Sequence, residues 1–355
     1  MRLQNVYLFI MAGGAGTRFW PLSTSETPKQ FLPIFRGNSL LQMTLERLST
    51  YFDPKHIYIL TRSSYKPYIQ RHYGIPARQI IGEAYPRDTA ASVAIATYLT
   101  QRLAEDGVTV ILPADHIITP AQSFIADLEA IIQRLERHDG VYTIGIGPTY
   151  PATVYGYLEL GDPVADDPAF YRVAAFKEKP LLKKAQAYHD SGNYLWNAGI
   201  FLFRAAAMAG ILQRLLPGHT RLQTAFQTSD DKWDAALADS MLSLEKISID
   251  YAVMEKLDTI YSRPASFAWN DMGSWLAYRD YLSKDKQGNY TNLPVHFYRS
   301  ADNTVYVQEP DEQVALIGVT GLVVVRADGK TLVCHRDHLQ DIKRVTAAFD
   351  SKTGS

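Results

Sequence analysis

A doubly wound, Rossmann-like α/β fold with a mostly parallel sheet, followed by a small β-rich C-terminal domain, is predicted by three features of the sequence. Short apolar runs at Val6 to Met11, Ile57 to Thr61, Val108 to Leu112 and Val141 to Gly145 are β-branched or aromatic and bounded by turn residues, as buried strands are. Amphipathic segments alternate with them, and that alternation is the signature of strands crossing over through helices. After about residue 285 the texture changes to strand-like runs at Thr304 to Gln308, Val314 to Gly318, Leu322 to Arg326 and Thr331 to His335, separated by Pro310-Asp311, Thr320-Gly321 and Asp328-Gly329. The division expected is therefore a large domain over 1–284 and a small one over 285–355.

The helices carry their own start signals. Ser39 and Gln42 have capping-box spacing, and Leu41, Leu45, Leu48 and Phe52 fall on one face, so a helix is predicted from Ser39 to Phe52. Thr119-Pro120 followed by Gln122 opens a second, whose stripe of Phe124, Leu128, Ile131, Ile132 and Leu135 runs toward Gly140. In a doubly wound sheet ligands bind beyond the carboxyl ends of the strands, so the loops after strands are the expected binding positions.

Composition narrows the function classes. The 355 residues include 36 Lys plus Arg against 37 Asp plus Glu, a balance without the basic footprint of a nucleic-acid or anionic-membrane binder. No run approaches the roughly 20 apolar residues of a membrane span, and Met1-Arg2-Leu3-Gln4-Asn5 leads into the first strand without the pattern of a signal peptide. Neither nucleic acid nor membrane is expected as a partner, and a cytoplasmic location is. Cys334 is the only cysteine, so no intrachain disulfide forms. His335 and His338 make at most an incomplete zinc pair.

The first strand ends in Met11-Ala12-Gly13-Gly14-Ala15-Gly16-Thr17-Arg18-Phe19-Trp20-Pro21, whose backbone N–H groups are suited to phosphate oxygens. A dinucleotide fingerprint is excluded because Phe19 stands where its third glycine belongs. Gly329-Lys330-Thr331 ends like a Walker loop, yet Val324 replaces that motif's first glycine. Glycines alone would signify no more than a tight turn. Arg18 within the loop and Lys29 eleven residues later add two cations, and cations with a glycine cradle suit a polyphosphate.

The run GGAGTRFWPLS followed by PKQFLPIF resembles the signature of the sugar nucleotidyltransferases, and its WPLS and PKQF portions are similar to the GDP-mannose pyrophosphorylase branch. PADH at 113–116, VYGYLEL at 154–160, FKEKP at 176–180, YLWNAGIFLF at 194–203, SIDYAVMEK at 248–256 and WNDMGSW at 269–275 extend the resemblance over nearly the whole chain. It implies transfer of GMP from GTP to mannose 1-phosphate, with release of pyrophosphate. By the same resemblance Ala12, Gly13, Gly14, Gly16, Thr17, Arg87 and Asp88 would bind the nucleotide, Arg18 would neutralise the pyrophosphate and Lys29 would contact the reacting phosphates. Asp115 and Asp271 would hold Mg2+, while Gly156, Glu178, Lys179 and Asn197, together with Asp271, would bind the sugar phosphate. The C-terminal stretch resembles that family's left-handed β-helix domain, which implies a homodimer.

The chemistry agrees with such a set. A sugar phosphate is already mostly ionised at neutral pH, its second pKa being about 6, so no general base is needed. What the reaction demands is cations and positioning. Asp88 departs from the family pattern, which reads Arg-Asn-Thr where this chain has Arg87-Asp88-Thr89. A carboxylate only accepts where an amide also donates, so base preference is open at that position, although Asp and Asn serve equally as helix N-caps. Two rivals remain: a nucleotidyltransferase for another hexose 1-phosphate and nucleotide, and a noncatalytic regulatory subunit that senses a sugar nucleotide. Longer relatives carry an appended isomerase domain, and no isomerase activity is expected here.

Overall fold

The computed structural model describes residues 5–14, 16–35 and 37–350. The start of the chain through Gln4, Ala15 of the glycine loop, Arg36 and the last residues from Ser351 lie outside them. The described residues pack as two units. The first comprises the chain to Gly13, 46–114 and 118–269; the second comprises 14–45, 115–117 and the chain from Asn270. Division by packing thus interleaves the sequence and differs from a division by texture at residue 285.

The first unit is built on a nine-stranded sheet. In space its order is Ile80–Glu83, Ile57–Arg62, Val6–Met11, Val108–Pro113, Tyr194–Arg204, Val141–Ile146, Ile260–Pro264, Asp167–Lys177 and Tyr157–Val164. Only Asp167–Lys177 and Tyr194–Arg204 run against the shared direction of the others, so the sheet is mostly parallel. All four predicted strands are present, Val6–Met11 with the expected bounds and the other three each extended by one residue. The chain leaves Val6–Met11 for Ile57–Arg62 on one side and returns to Val108–Pro113 on the other. That reversal places a topological switch point at the carboxyl ends of these two strands, where Ala114 N–H donates to Met11 O (3.1 Å).

Helix Thr89–Leu103 is buried from Ala90 to Thr100 apart from half-buried Ser92, so that stretch has no exposed face. Its Ala90, Ala91, Ala94 and Ala96 are small enough to admit neighbours on every side, as a core helix requires. Helix Ala121–Leu135 buries the predicted stripe of Phe124, Leu128, Ile131, Ile132 and Leu135. Ser39 accepts the Gln42 N–H (3.1 Å) as its capping role demands, but the helix spans Leu40–Ser49 rather than reaching Phe52. There the Tyr51 N–H turns to Leu48 O (3.1 Å), a tighter bond that interrupts the α-helical ladder, and the Phe52 N–H shares the same carbonyl (2.9 Å).

The second unit gathers Phe19, Leu22, Phe35, Trp275, Tyr278, Val323 and Val325 in one core. Its strands form two parallel stacks. Tyr290–Thr291, Thr304–Val307 and Leu322–Ala327 pair in one, His296–Tyr298 and Ala315–Ile317 in the other, and the chain alternates between them turn by turn. Lys330–His335 closes the first stack antiparallel to Leu322–Ala327. Buried Asn289 and Asn303 occupy matching places on successive turns, the Asn303 amide donating to Asn289 Oδ1 (2.9 Å) and accepting the Leu322 N–H (2.9 Å). Side-chain amides so satisfy backbone groups that the stack leaves unpaired. Among the described residues, no helix is long and apolar enough to cross a membrane.

Candidate active site

The glycine loop is held by its carbonyls. In the first unit Thr61 Oγ1 donates to Ala12 O (3.1 Å) and Arg62 Nε to Gly13 O (3.0 Å). In the second, the buried Gln30 side chain donates to Gly14 O (2.9 Å). The N–H groups of Gly13, Gly14, Gly16 and Thr17 meet no acceptor among the described residues. With oxygens anchored and N–H groups available, the loop has the polarity of an anion cradle. A Cβ at Gly14 would meet nothing within 4 Å, so packing does not require glycine there; close approach of a ligand to the backbone would.

Gly16 has a different reason. Its φ is +60°, and a Cβ on it would lie 2.5 Å from Lys29 N and 2.6 Å from Lys29 Cβ. Gly16→Ala is therefore expected to push the Lys29 turn aside, lowering the thermal midpoint and reducing turnover at least tenfold. Unchanged melting and turnover would show that the contact is dispensable.

Lys29 lies in the turn Lys29–Phe31 with its side chain 9% exposed. Its ammonium carries three protons and meets three acceptors: Asp115 Oδ2 at 2.8 Å, Asp271 O at 3.0 Å and Met272 O at 2.9 Å. The structure thus brings together Lys29, Asp115 and Asp271, which are far apart in sequence. Burial works to raise the Asp115 pKa, but Lys29 and then His116 overcome it and hold the carboxylate below its usual range. The Asp271 turn is tightly determined: Asp271 Oδ1 accepts the Gly273 N–H (3.0 Å), Asn270 Oδ1 accepts the Met272 N–H (2.8 Å), and Met272 is fully buried at φ +48°. Arg18 contrasts with Lys29. It is half-buried, makes no ion pair among the described residues, and its Nε is buried without a partner.

The residues matched to sugar binding cluster within the first unit. Glu178 is not a solvated charge: its side chain is 7% exposed, ion-paired with Lys179, and so close to Gly156 that a Cβ there would lie 2.5 Å from Glu178 Oε2. Asn197 N–H donates to Gly156 O (2.8 Å). Trp196, Tyr155 and Trp269 pack edge to face or tilted against one another beside this cluster. Arg87 directs its guanidinium at Met241 O and Leu242 O (3.0 and 2.7 Å), and Asp88 caps helix Thr89–Leu103 by accepting the Thr89 N–H (2.8 Å).

Two acids escaped the reading of the sequence. Asp250 touches the Asn197 amide (3.3 Å). Glu83 ends an apolar strand, 8% exposed, and accepts a 2.5 Å hydrogen bond from Ser92. An acid closing a buried strand is the signal that would have found Glu83. Burial chiefly pushes its carboxyl up to about 7 from the ordinary 4.5, with Ser92 and Arg62 opposing. The folded state then keeps a proton that the unfolded chain releases, so stability falls as pH rises from about 4.5 to 7 and stays lower above. Glu83→Gln is expected to melt at least a few degrees above the wild type at pH 8 and level with it at pH 4. An equal difference at both values would contradict this origin.

A nucleotidyl transferase profile matches residues 8–288, spanning the sheet, the glycine loop, Asp115 and Asp271. The chain belongs to the nucleotidyl transferase family. A MannoseP isomerase/GMP-like beta-helix domain profile matches residues 299–348, the region of the parallel stacks, which form a β-helix-like C-terminal domain. A mannose-1-phosphate guanylyltransferase from Klebsiella pneumoniae is 34% identical, over 94% of this chain and 72% of its own length. A xanthan biosynthesis protein from Xanthomonas campestris is 33% identical, over 98% and 74% respectively. The solved structure titled mannose-1-phosphate geranyltransferase, from Thermus thermophilus, superposes with a TM-score of 0.83 at 32% identity, covering 98% of this chain and 99% of that one.

Proposed function

We propose that this protein transfers GMP from GTP to mannose 1-phosphate, giving GDP-mannose and pyrophosphate. The observation that carries the reading is the glycine cradle with its N–H groups available, beside a half-buried arginine that no described carboxylate neutralises. The relatives named for this reaction support the choice of substrates.

In the proposed reaction an ionised oxygen of mannose 1-phosphate attacks the α-phosphorus of GTP. A bond forms between that oxygen and the α-phosphorus, the bond from the α-phosphorus to the bridging oxygen of the β-phosphate breaks, and pyrophosphate departs with the electron pair. No proton need be removed by the protein. The loop N–H groups and Arg18 hold the triphosphate and offset the charge gathering on the leaving group. Lys29 holds Asp115 ionised and fixes the Asp271 turn. Gly156, Glu178, Lys179 and Asn197 orient the sugar phosphate by carboxylate, ammonium and amide contacts.

Asp115 and Asp271 fit a magnesium ion. One ammonium bridges the Asp115 carboxylate and the Asp271 backbone. Magnesium is commonly bound by one or two carboxylates completed by substrate phosphates and water. When bound, Mg2+ would screen the phosphate charges that oppose the attack. We further place the protein in the cytoplasm as a homodimer, a state that light scattering reads directly.

The experiment is a product assay with GTP, UTP, dTTP and ATP in one mixture, offered mannose and glucose 1-phosphates in turn. GDP-mannose as the main product is the expected result. Another sugar nucleotide would keep the chemistry and overturn the substrate pair. Binding of sugar nucleotide without turnover would overturn the catalytic reading.

A further inference from the structure

Asp250 lies on the short helix Ile249–Ala252, in the first unit with the sugar cluster. Asn197 shows what it does. The Asn197 Oδ1 accepts the Gly199 N–H (3.1 Å), with the Thr143 hydroxyl also 3.1 Å away, so the amide oxygen is turned inward. The amide nitrogen then faces Asp250 Oδ1, to which it donates one proton at 3.3 Å. A primary amide carries two such protons. With the oxygen and one N–H committed, the direction of the second is determined.

The mounting of Asp250 is itself firm. Ile249 N–H donates to Thr89 Oγ1 (2.9 Å), Ala90 N–H to Ile247 O (3.2 Å) and Ile247 N–H to Arg87 O (3.3 Å). These bonds stitch its segment to residues 87–90 without using the Asp250 side chain, so the contact with Asn197 is not what holds the segment in place. Burial first, and then the neighbouring Glu178, push its carboxyl up to about 7, with Lys179 opposing.

We infer that Asp250 is a positioning residue for the sugar phosphate, setting the Asn197 amide so that its remaining N–H is presented to the sugar. The inference rests on the assignment of Asn197 to sugar binding given above. Asp250→Ala and Asp250→Ser, neither long enough to reach the amide, are expected to raise KM for mannose 1-phosphate about tenfold, the loss typical of one hydrogen bond. KM for GTP should change less than twofold, because the stitching to residues 87–90 is backbone and Thr89. Asp250→Asn keeps an acceptor oxygen and should stay within about threefold of the wild type.

Melting curves establish that each variant folds, and Asp250→Asn supplies the reading if the smaller side chains do not. A rise of more than tenfold in the sugar KM of Asp250→Asn, equal rises in both KM values, or no change in either KM for Ala and Ser would overturn the role. A wild-type protein that does not use mannose 1-phosphate would instead overturn the assignment beneath it, so the two failures are distinguishable.

Discussion

Asp115→Ala is expected to lower kcat about a thousandfold while leaving a folded protein. The carboxylate follows strand Val108–Pro113 in the chain, and Lys29 keeps it ionised. Its removal takes away a proposed metal contact from a reaction that depends on charge compensation, for which a single electrostatic group is typically worth about 10²–10³ in rate. The fold should survive, because the Lys29 ammonium retains two carbonyl acceptors, Asp271 O and Met272 O. Steady-state kinetics beside a melting curve separate the two effects. A folded variant with an unchanged rate would remove Asp115 from the mechanism.

Lys29→Met should cost both rate and stability. Methionine fills much of the same space but leaves Asp271 O and Met272 O without their donor, a loss of about 1–3 kcal/mol for buried acceptors. It also frees Asp115 from the cation that lowers its pKa. The expected result is a fall in kcat of about 10²–10³, with a higher magnesium concentration needed for half-maximal activity. Arginine should not restore activity, since a planar fork does not reproduce three bonds converging on one nitrogen. Activity retained in Lys29→Met would remove Lys29 from the mechanism, and a defect confined to KM for pyrophosphate in the reverse reaction would assign it to phosphate contact rather than to holding the aspartates.

Much of this architecture was legible in the sequence, and what was not has a physical pattern. The parallel strands were visible because strands buried on both faces are continuously apolar, as Val6–Met11 and Val108–Pro113 are. Tyr157–Val164 and Asp167–Lys177 were missed because polar and charged residues interrupt them, and their pairing partners are set by tertiary contacts. At the site, motif resemblance named Lys29, Asp115 and Asp271, and the structure joins them. The resemblance did not disclose that the Lys29 ammonium ties its own segment to both aspartate segments, since that follows from convergence of residues more than 240 positions apart, as Lys29 and Met272 are. Gly16 read as a cradle residue, and its φ and its approach to Lys29 add a packing requirement that the motif did not disclose. Asp250 lay unmarked within SIDYAVMEK, because nothing in a linear motif shows which of its residues faces Asn197.

Pyrophosphate release by the purified protein with magnesium and GTP, with and without mannose 1-phosphate, tests the central claim most directly. Direct transfer predicts no release until the sugar phosphate is added, and then one pyrophosphate for each GDP-mannose formed. Release from GTP alone, or none with both substrates present, would contradict it.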